Sequence, residues 1–194
     1  MKILKKLKKY LINLLFKLPQ KLKMSLISSA KNINGTAKFN QACQLNGKGQ
    51  ICFGKNVLIG VDPSPFLYSG YGYLEARNVN SKISIGDNVM INNNIVIISE
   101  GEGITISSNT LIGTQCEIYD SDFHNLQIDK RLTGEITTKR VFIDENVFIG
   151  SNVKILKGVS IGKNSVIANG SIVTKSIPEN VIAGGIPAKV IKTI

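Results

Sequence analysis

Histidine, tryptophan and paired cysteines are scarce in this 194-residue sequence, which has one histidine, no tryptophan and three cysteines. Cys43, Cys52 and Cys116 form no CxxC motif, and their odd number argues against a disulfide framework. Reduced thiols in a cytosolic protein are therefore expected, and one histidine among scattered cysteines makes no metal site. No G-x-S-x-G elbow, Walker loop or dinucleotide fingerprint is present, which excludes the enzyme classes that depend on those motifs.

Acidic residues are also few, with 13 Asp and Glu against 24 Lys and Arg, for a net charge of +11. The excess is local, because residues 1–31 contain nine lysines and no acidic residue. The basic character therefore belongs to the N-terminus and not to a nucleic-acid-binding surface. The length fits a single domain with a short appendage, and a hydrophobic content of 43% is ordinary for a globular protein.

An aliphatic residue returns at every sixth position between Val141 and Ile177. The residues in this series are Ile143, Ile149, Ile155, Ile161, Ile167 and Val173. A period of six matches neither the 3.6-residue period of a helix nor the two-residue period of a single strand. It predicts a solenoid with three short parallel strands per turn, in which stacked turns bury one continuous aliphatic core.

A rougher form of the repeat begins at Ile33, so the chain divides into an N-terminal segment, a solenoid and a tail: residues 1–32, 33–177 and 178–194. Two excursions interrupt the solenoid, at about 61–82 and 119–140. The first is rich in proline, glycine and aromatic residues. Its aromatic side chains are expected to anchor it against the solenoid wall, with stacking on a sugar ring as the alternative.

The N-terminal segment is predicted to begin with a basic amphipathic helix that Pro19 ends. Its apolar stripe contains Ile3, Leu4, Leu7, Leu11, Leu14, Leu15 and Leu18. Two roles are open: residues 1–23 bind an anionic membrane surface, or the helix caps the open end of the solenoid. Lysines interrupt the apolar run too often for a spanning segment, and no small-residue cleavage site follows for a signal peptide.

The chain's only histidine, His124, lies in the second excursion. Histidine is the side chain best suited to exchange protons near neutral pH, and loops that interrupt a regular scaffold commonly carry function. Asp120 and Asp122 precede it at two-residue intervals, which places all three on one face of an extended segment. The aspartates are thus candidates to orient the ring, and a solvated histidine in a polar loop is the alternative.

Specific segments of the chain resemble the hexapeptide-repeat acyltransferases, and most of all the galactoside, maltose and capsular-polysaccharide acetyltransferases. These segments are IGDNVM, LIGTQCEIYDSDFH and VFIGSNVKILKGVSIGKNSVIANGSIVTKSIPENVIAGGIPAKVIK. The resemblance covers most of residues 33–177 and is most specific from 141 to 192. It implies an all-β fold, a left-handed parallel β-helix, which departs from the usual right-handed crossover. It also implies a homotrimer that binds acetyl-CoA in the cleft between neighbouring subunits.

The resemblance also implies roles for individual residues. His124 matches the family's catalytic base, which takes a proton from a sugar hydroxyl as it attacks the acetyl-CoA thioester. A backbone N–H at the Gly150-Ser151 turn would stabilise the oxyanion. Asn94, or as second choice Asn92, matches an acceptor-binding asparagine. Contacts with acetyl-CoA are expected at Gly150, Ser151, Ala168, Thr174, Lys175 and Lys189.

Two features depart from the family's pattern. Phe148 stands where many relatives have a tryptophan beside the active site, which leaves a narrower wall. The excursion at about 61–82 has no match in the simple sugar acetyltransferases, so their acceptor specificity does not transfer to this chain.

The sequence therefore predicts an acetyl-CoA-dependent O-acetyltransferase that modifies a sugar hydroxyl of a surface polysaccharide or its precursor. Transfer would be direct, with His124 as general base and without a metal or a nucleic-acid partner. The expected location is the cytoplasm, or the inner face of the cytoplasmic membrane. Two alternatives stay open: N-acetylation of a nucleotide-linked amino sugar, and a solenoid that serves only as a scaffold.

Overall fold

The computed structural model describes residues 2–194, apart from the side chains of Lys2 and Lys9. Its strands, numbered β1 to β20 in chain order, form three sheets that wrap around one core. Sheet one contains β1 (Asn32–Asn34), β4 (Gln50–Phe53), β7 (Lys82–Ile85), β10 (Ile104–Ile106), β13 (Val141–Ile143) and β16 (Ser160–Ile161).

Sheet two contains β2 (Ala37–Phe39), β5 (Val57–Ile59), β8 (Met90–Ile91), β11 (Leu111–Ile112), β14 (Phe148–Ile149), β17 (Val166–Ile167), β19 (Val181–Gly185) and β20 (Ala188–Thr193). Sheet three contains β3 (Cys43–Asn46), β6 (Gly72–Ala76), β9 (Val96–Ser99), β12 (Glu117–Tyr119), β15 (Lys154–Ile155) and β18 (Ile172–Val173). All pairings are parallel except the hairpin of β19 and β20, which closes the C-terminal end. From β1 to β18 the chain visits the sheets in rotation, so each of these turns contributes one strand to each sheet.

The six-residue period produces stacked aliphatic columns inside the solenoid. Ile143 of β13 pairs in register with Ile106 and Ile161, and all three side chains are buried. Burying an aliphatic side chain of this size contributes about 1.5–3 kcal/mol relative to leaving it exposed. Cys116 points into the same core, and burial raises the pKa of its thiol to about 11. It is therefore a protonated packing residue at neutral pH.

The corners between the sheets form three edges of a triangular prism. The first edge joins sheet one to sheet two at residues 54–56, 86–89, 107–110, 144–147 and 162–165. The second edge joins sheet two to sheet three at residues 60–71, 92–95, 113–116, 150–153 and 168–171. The third edge joins sheet three to sheet one at residues 77–81, 100–103, 120–140, 156–159 and 174–176. Asparagines with positive φ turn many of these corners, since asparagine tolerates the left-handed conformation.

The first excursion is shorter than expected, because residues 72–76 form β6 inside sheet three. Leu74 of this strand pairs with Leu45 and Ile97 and is buried. The prediction that aromatic side chains anchor the remaining loop is wrong: Phe66, Tyr68 and Tyr71 are all exposed. The buried side chain of Leu67 and polar contacts hold the loop instead: the buried Asn93 donates from Nδ2 to the carbonyls of Val61 (3.2 Å) and Pro65 (2.8 Å).

The N-terminal helix is longer than expected, because Pro19 does not end it. An α-helix at Lys2–Ile12 (α1) runs through a π turn at Asn13–Lys17 into a second α-helix at Leu18–Ile27 (α2). Pro19 lies in the first turn of α2, directly after the wider π turn, and the helix continues through it. Only Met24 of the described side chains is buried, so the helix leaves most of its apolar stripe uncovered. The side chains of Lys2 and Lys9, which the sequence places largely outside the apolar stripe, lie outside what the structure describes, as does Met1.

Candidate active site

His124 lies on the third edge, in the loop of residues 120–140, and its side chain is exposed. Its Nδ1 is 3.2 Å from the carbonyl oxygen of Arg131. A carbonyl oxygen only accepts hydrogen bonds, so this contact assigns the hydrogen to Nδ1 and leaves the lone pair on Nε2. The ring therefore presents a proton acceptor to solvent, as a general base requires.

Asn125, which is not among the predicted site residues, holds the loop around His124. Its Nδ2 donates to the carbonyl of Glu135 (2.7 Å), and its Oδ1 accepts from the N–H of Gln127 (2.9 Å). One amide thus bridges the outgoing and returning arms of the loop. Asparagine makes such local side-chain to backbone bonds readily, and the Asn next to the histidine was the available signal.

Asp120 does not orient His124, and the expectation that the two share a face is wrong. The buried Asp120 carboxylate accepts from Ser99 Oγ (2.8 Å) and from backbone N–H groups of the neighbouring corner. Those donors are Glu100 at 2.7 Å, Gly101 at 3.3 Å and Gly103 at 2.8 Å. The two-residue alternation fails because Phe123 has a φ of 61°, which breaks the extended conformation just before His124.

Asp122 ties the loop to the next coil of the third edge. Its Oδ2 lies 3.3 Å from Lys157 Nζ, although it is shielded from solvent and makes no well-aligned hydrogen bond. Its N–H donates to the carbonyl of Thr137 at 3.2 Å. The ion pair fixes the base of the loop, and among the described contacts of Asp122 none reaches the His124 ring.

Asn94 lies on the second edge, where a buried glutamine orients its amide. Gln41 Nε2 donates to Asn94 Oδ1 (3.0 Å), and Gln41 Oε1 accepts from the Asn94 N–H (2.7 Å). With Oδ1 occupied, the donor Nδ2 is the end left for a ligand. Gly70 makes this approach possible, since a Cβ there would lie 2.2 Å from Asn94 Oδ1.

Asn94 lines an open groove of about 290 Å³, together with Gly70, Tyr71, Val96, Gln115 and Glu117. Its neighbour Asn92 is used locally, because Asn92 Oδ1 accepts from the N–H of Asn93 at 2.8 Å. Asn94 is favoured over Asn92 as a donor to a ligand because Asn94 lines the groove and Asn92 does not. Gln41 lies 53 residues away in sequence, so no local pattern pointed to it.

Both backbone N–H groups of the Gly150-Ser151 turn are already engaged within the chain. Gly150 donates to the carbonyl of Ile167 (2.8 Å), and Ser151 donates to Asn169 Oδ1 (2.7 Å). The N–H of Ala168 is also used, by the carbonyl of Ala183 (2.9 Å). An oxyanion can use the Ser151 N–H only when the Asn169 side chain releases it, a requirement that the sequence does not reveal.

The predicted site residues fall on two different edges of the prism. His124, Asp122, Thr174 and Lys175 lie on the third edge, whereas Asn94, Gly150, Ser151 and Ala168 lie on the second. Lys189 lies on the exposed β20, at the C-terminal end of sheet two. One chain therefore does not bring the proton acceptor next to the groove at Asn94. Within residues 2–194, no group of three or more His, Cys, Asp and Glu side chains is placed to hold a metal ion.

Comparisons with known proteins agree with this architecture. A family described as the hexapeptide repeat of succinyl-transferase matches residues 140–175. Galactoside O-acetyltransferase of Lactococcus lactis subsp. lactis (strain IL1403) is 34% identical over 161 residues, which are 81% of this chain and 73% of that protein. Galactoside O-acetyltransferase of Escherichia coli (strain K12) is 41% identical over 130 residues, 67% of this chain. The chain spans about three fifths of that relative's length (59%), and 61% of a matched Saccharomyces cerevisiae protein.

A solved structure extends the likeness to three dimensions. It is a hexapeptide-repeat acetyltransferase of Vibrio cholerae O1 biovar eltor, complexed with acetyl coenzyme A. Its TM-score is 0.54 at 28% identity, over 80% of this chain and 71% of that one. The predicted fold class, a left-handed parallel β-helix preceded by a basic amphipathic helix, is confirmed. The chain belongs to the hexapeptide-repeat acyltransferase family.

Proposed function

We propose that this protein is an acetyl-CoA-dependent O-acetyltransferase whose acceptor is a hydroxyl group of a sugar. The observation that carries the proposal is the placement of His124: its Nδ1 lies 3.2 Å from the Arg131 carbonyl oxygen in an exposed loop, which leaves Nε2 as the ring atom that can accept a proton. Relatives named galactoside O-acetyltransferase support the acceptor class, and the Vibrio cholerae structure complexed with acetyl coenzyme A supports the donor. A surface polysaccharide or its precursor is the proposed source of the sugar.

In the proposed reaction, Nε2 of His124 takes the proton of the acceptor hydroxyl as its oxygen attacks the carbonyl carbon of the thioester. The Arg131 carbonyl stabilises the imidazolium cation that forms, because it accepts from the positively charged Nδ1–H. His124 then returns its proton to the departing sulfur as the C–S bond breaks. The products are the O-acetyl sugar and free coenzyme A, and the histidine ends in its starting state.

A screen of acceptors tests the proposed substrate class. Purified full-length protein is mixed with acetyl-CoA and with neutral sugars, oligosaccharides, amino sugars or nucleotide sugars, and release of the coenzyme A thiol is followed. Thiol release with hydroxyl acceptors, at a rate far above hydrolysis in their absence, supports the proposal. Release only with amino sugars would replace the proposed O-acetylation with N-acetylation. A complete absence of saturable acetyl-CoA binding would leave the scaffold alternative.

We propose that the protein acts as a homotrimer in which the third edge of one chain meets the second edge of its neighbour. Such an arrangement would bring His124 to the groove at Asn94, which a single chain does not do. The outward face of sheet two supports an interface, because its in-register column is apolar on six successive strands. The column consists of Leu58, Met90, Leu111, Phe148, Val166 and Ile182.

Leu111→Glu is expected to dissociate the trimer and to lower activity with it. The Leu111 side chain is 45% exposed in one chain, and a carboxylate at an apolar interface would be buried without a partner. Sedimentation velocity reports the change in mass. Ser160→Glu is the matched control, since Ser160 is an exposed strand residue on the outward face of sheet one. A wild-type monomer, or a trimeric Leu111→Glu variant, would contradict the proposed interface.

We also propose that the N-terminal helix binds an anionic membrane surface and places the enzyme near a membrane-proximal acceptor. Ile3 is 83% exposed and Leu26 85% exposed, and other apolar residues between them stay uncovered. Lysines flank these residues without any acidic side chain before residue 32, which suits anionic lipid headgroups. Within residues 2–194, no helix has the length and apolar character needed to cross a bilayer.

Replacing two stripe residues, Leu7→Glu and Leu11→Glu, in the full-length chain is expected to abolish vesicle binding. Each leucine inserted into lipid contributes about 1.5–3 kcal/mol, so the bound fraction should fall at least about tenfold. Co-sedimentation with phosphatidylglycerol vesicles measures it, with phosphatidylcholine vesicles for comparison. Val79→Glu, at a 74% exposed apolar residue outside the helix, is the control. Equal binding by the double variant and the wild type would rule out this membrane contact.

A further inference from the structure

Phe123, the residue immediately before His124, has an unusual backbone conformation. Its φ is 61°, in the left-handed region that a bulky side chain rarely adopts. This conformation costs a non-glycine residue about 1–2 kcal/mol, so it persists only where the surroundings impose it. Because the backbone bends at Phe123 and His124, this conformation also sets the direction in which the His124 side chain leaves the backbone.

Three contacts hold Phe123 in this conformation. The guanidinium carbon of Arg77 lies 5.2 Å from the centre of the Phe123 ring, within cation–π range. The ring of Tyr119 meets it edge-on, with centroids 5.3 Å apart and planes 81° from parallel. The Phe123 N–H donates to Ser121 Oγ at 2.9 Å. Ring and backbone are therefore both restrained.

Arg77 is itself fixed by two carboxylates. Its Nε and Nη2 donate to the two oxygens of Glu75 (3.1 and 3.0 Å), and its Nη1 donates to Glu100 Oε1 (3.1 Å). The other oxygen of Glu100 accepts from Ser121 Oγ, which closes a ring of contacts through Phe123. The hydrogen bonds with Glu75, then those with Glu100, raise the pKa of Arg77 further above its ordinary value. The guanidinium stays charged at any working pH.

We propose that Arg77 is a positioning residue for the reaction: it holds Phe123 in the left-handed conformation and thereby aims the His124 ring. Arg77 lies 47 positions before His124 and two coils away on the same third edge. Lysine does not reproduce these contacts, because an ammonium group lacks the planar fork that makes paired hydrogen bonds with Glu75 while also reaching Glu100 and the Phe123 ring. The proposal rests on His124 being the proton acceptor of the proposed function.

Arg77→Lys and Phe123→Leu, each in the full-length protein, test this role in two ways. A base displaced by about 1 Å can lose up to about a hundredfold in rate, so kcat should fall between about ten- and a hundredfold. The KM for acetyl-CoA should stay within about twofold, since neither residue is among the expected acetyl-CoA contacts. Phe123→Tyr, which keeps the aromatic ring, should retain most of the wild-type kcat.

The tautomer of His124 gives a second readout that loss of stability alone would not change. The chain has one histidine, so ¹⁵N NMR spectra of the ring report His124 without assignment. The wild type should show the hydrogen on Nδ1, and both variants should show a mixture richer in Nε2–H. Arg140→Lys is the matched control: Arg140 also stacks on a phenylalanine, Phe142 at 5.9 Å, but on a ring that does not adjoin His124. It should match the wild type in both readouts.

Wild-type kcat and an unchanged tautomer in both Arg77→Lys and Phe123→Leu would overturn the positioning role. A fall in unfolding temperature with kcat and tautomer unchanged would do the same, because it would show a purely structural contact. Failure of the proposed function is distinguishable: the wild type would then transfer no acetyl group, while the tautomer measurement would still decide whether Arg77 and Phe123 orient the ring.

Discussion

His124→Ala is expected to lower kcat for acetyl transfer by about 10²–10⁴-fold, the usual contribution of a general base. The alanine variant has no group in this loop position that can take the proton of the attacking hydroxyl. Acetyl-CoA binding should be nearly unchanged, since the donor contacts are expected elsewhere. Steady-state kinetics with the best acceptor from the screen, together with calorimetric titration of acetyl-CoA, measures both quantities.

Exposure of the His124 side chain allows a control by chemical rescue. Imidazole added to the solution can reach the space that the ring leaves in His124→Ala, and it should restore part of the lost rate. As a control, imidazole should leave the rate of Asn169→Ala unchanged, because that variant keeps His124 and removes only the acceptor of the Ser151 N–H. Activity of His124→Ala equal to that of the wild type would remove the proposed mechanism and leave the histidine as a solvated loop residue.

Asp120→Ala is expected to cost about 3–6 kcal/mol of the free energy of unfolding. The change removes the acceptor of four donors, Ser99 Oγ and three backbone N–H groups, from a buried position. Each buried donor left unsatisfied costs about 1–3 kcal/mol, and entry of water offsets part of the sum. The total is a large fraction of the roughly 5–15 kcal/mol that stabilises a typical domain. Urea unfolding followed by circular dichroism measures it.

Two further variants decide whether this loss has the proposed cause. Asp120→Asn keeps the shape and one acceptor oxygen but turns an NH₂ group toward N–H donors, so it should lose stability to an intermediate extent. Asp129→Ala, at an exposed aspartate in the same loop, should stay within about 0.5 kcal/mol of the wild type. A loss below about 1 kcal/mol in Asp120→Ala would show that the corner at 100–103 does not depend on this carboxylate.

The solenoid was predictable from sequence because its cause is local and repeated. Ile149 and Ile155 sit at the fixed spacing that one strand per side requires, and each is buried in register with its neighbours. The candidate base was predictable for the same reason, because the short segment around His124 is enough by itself to show the resemblance to the hexapeptide-repeat acyltransferases.

The parts that sequence did not reveal depend on contacts between distant residues or on backbone conformation. Phenylalanine does not signal a positive φ as glycine or asparagine does, so the turn at Phe123 and the separation of Asp120 from His124 were not foreseeable. The buried Gln41 orients Asn94 across 53 positions. Pro19 looked like a helix end because the π turn before it has no sequence signature.

The central proposal is a site assembled from the third edge of one chain and the second edge of another. Its most direct test mixes two impaired variants. His124→Ala damages one edge and Asn94→Ala the other, so each variant alone should be strongly impaired. In trimers formed by co-expression, random mixing pairs two intact edges at roughly a quarter of the sites, and about that fraction of wild-type activity should return. A mixture no more active than its better component would contradict the shared site.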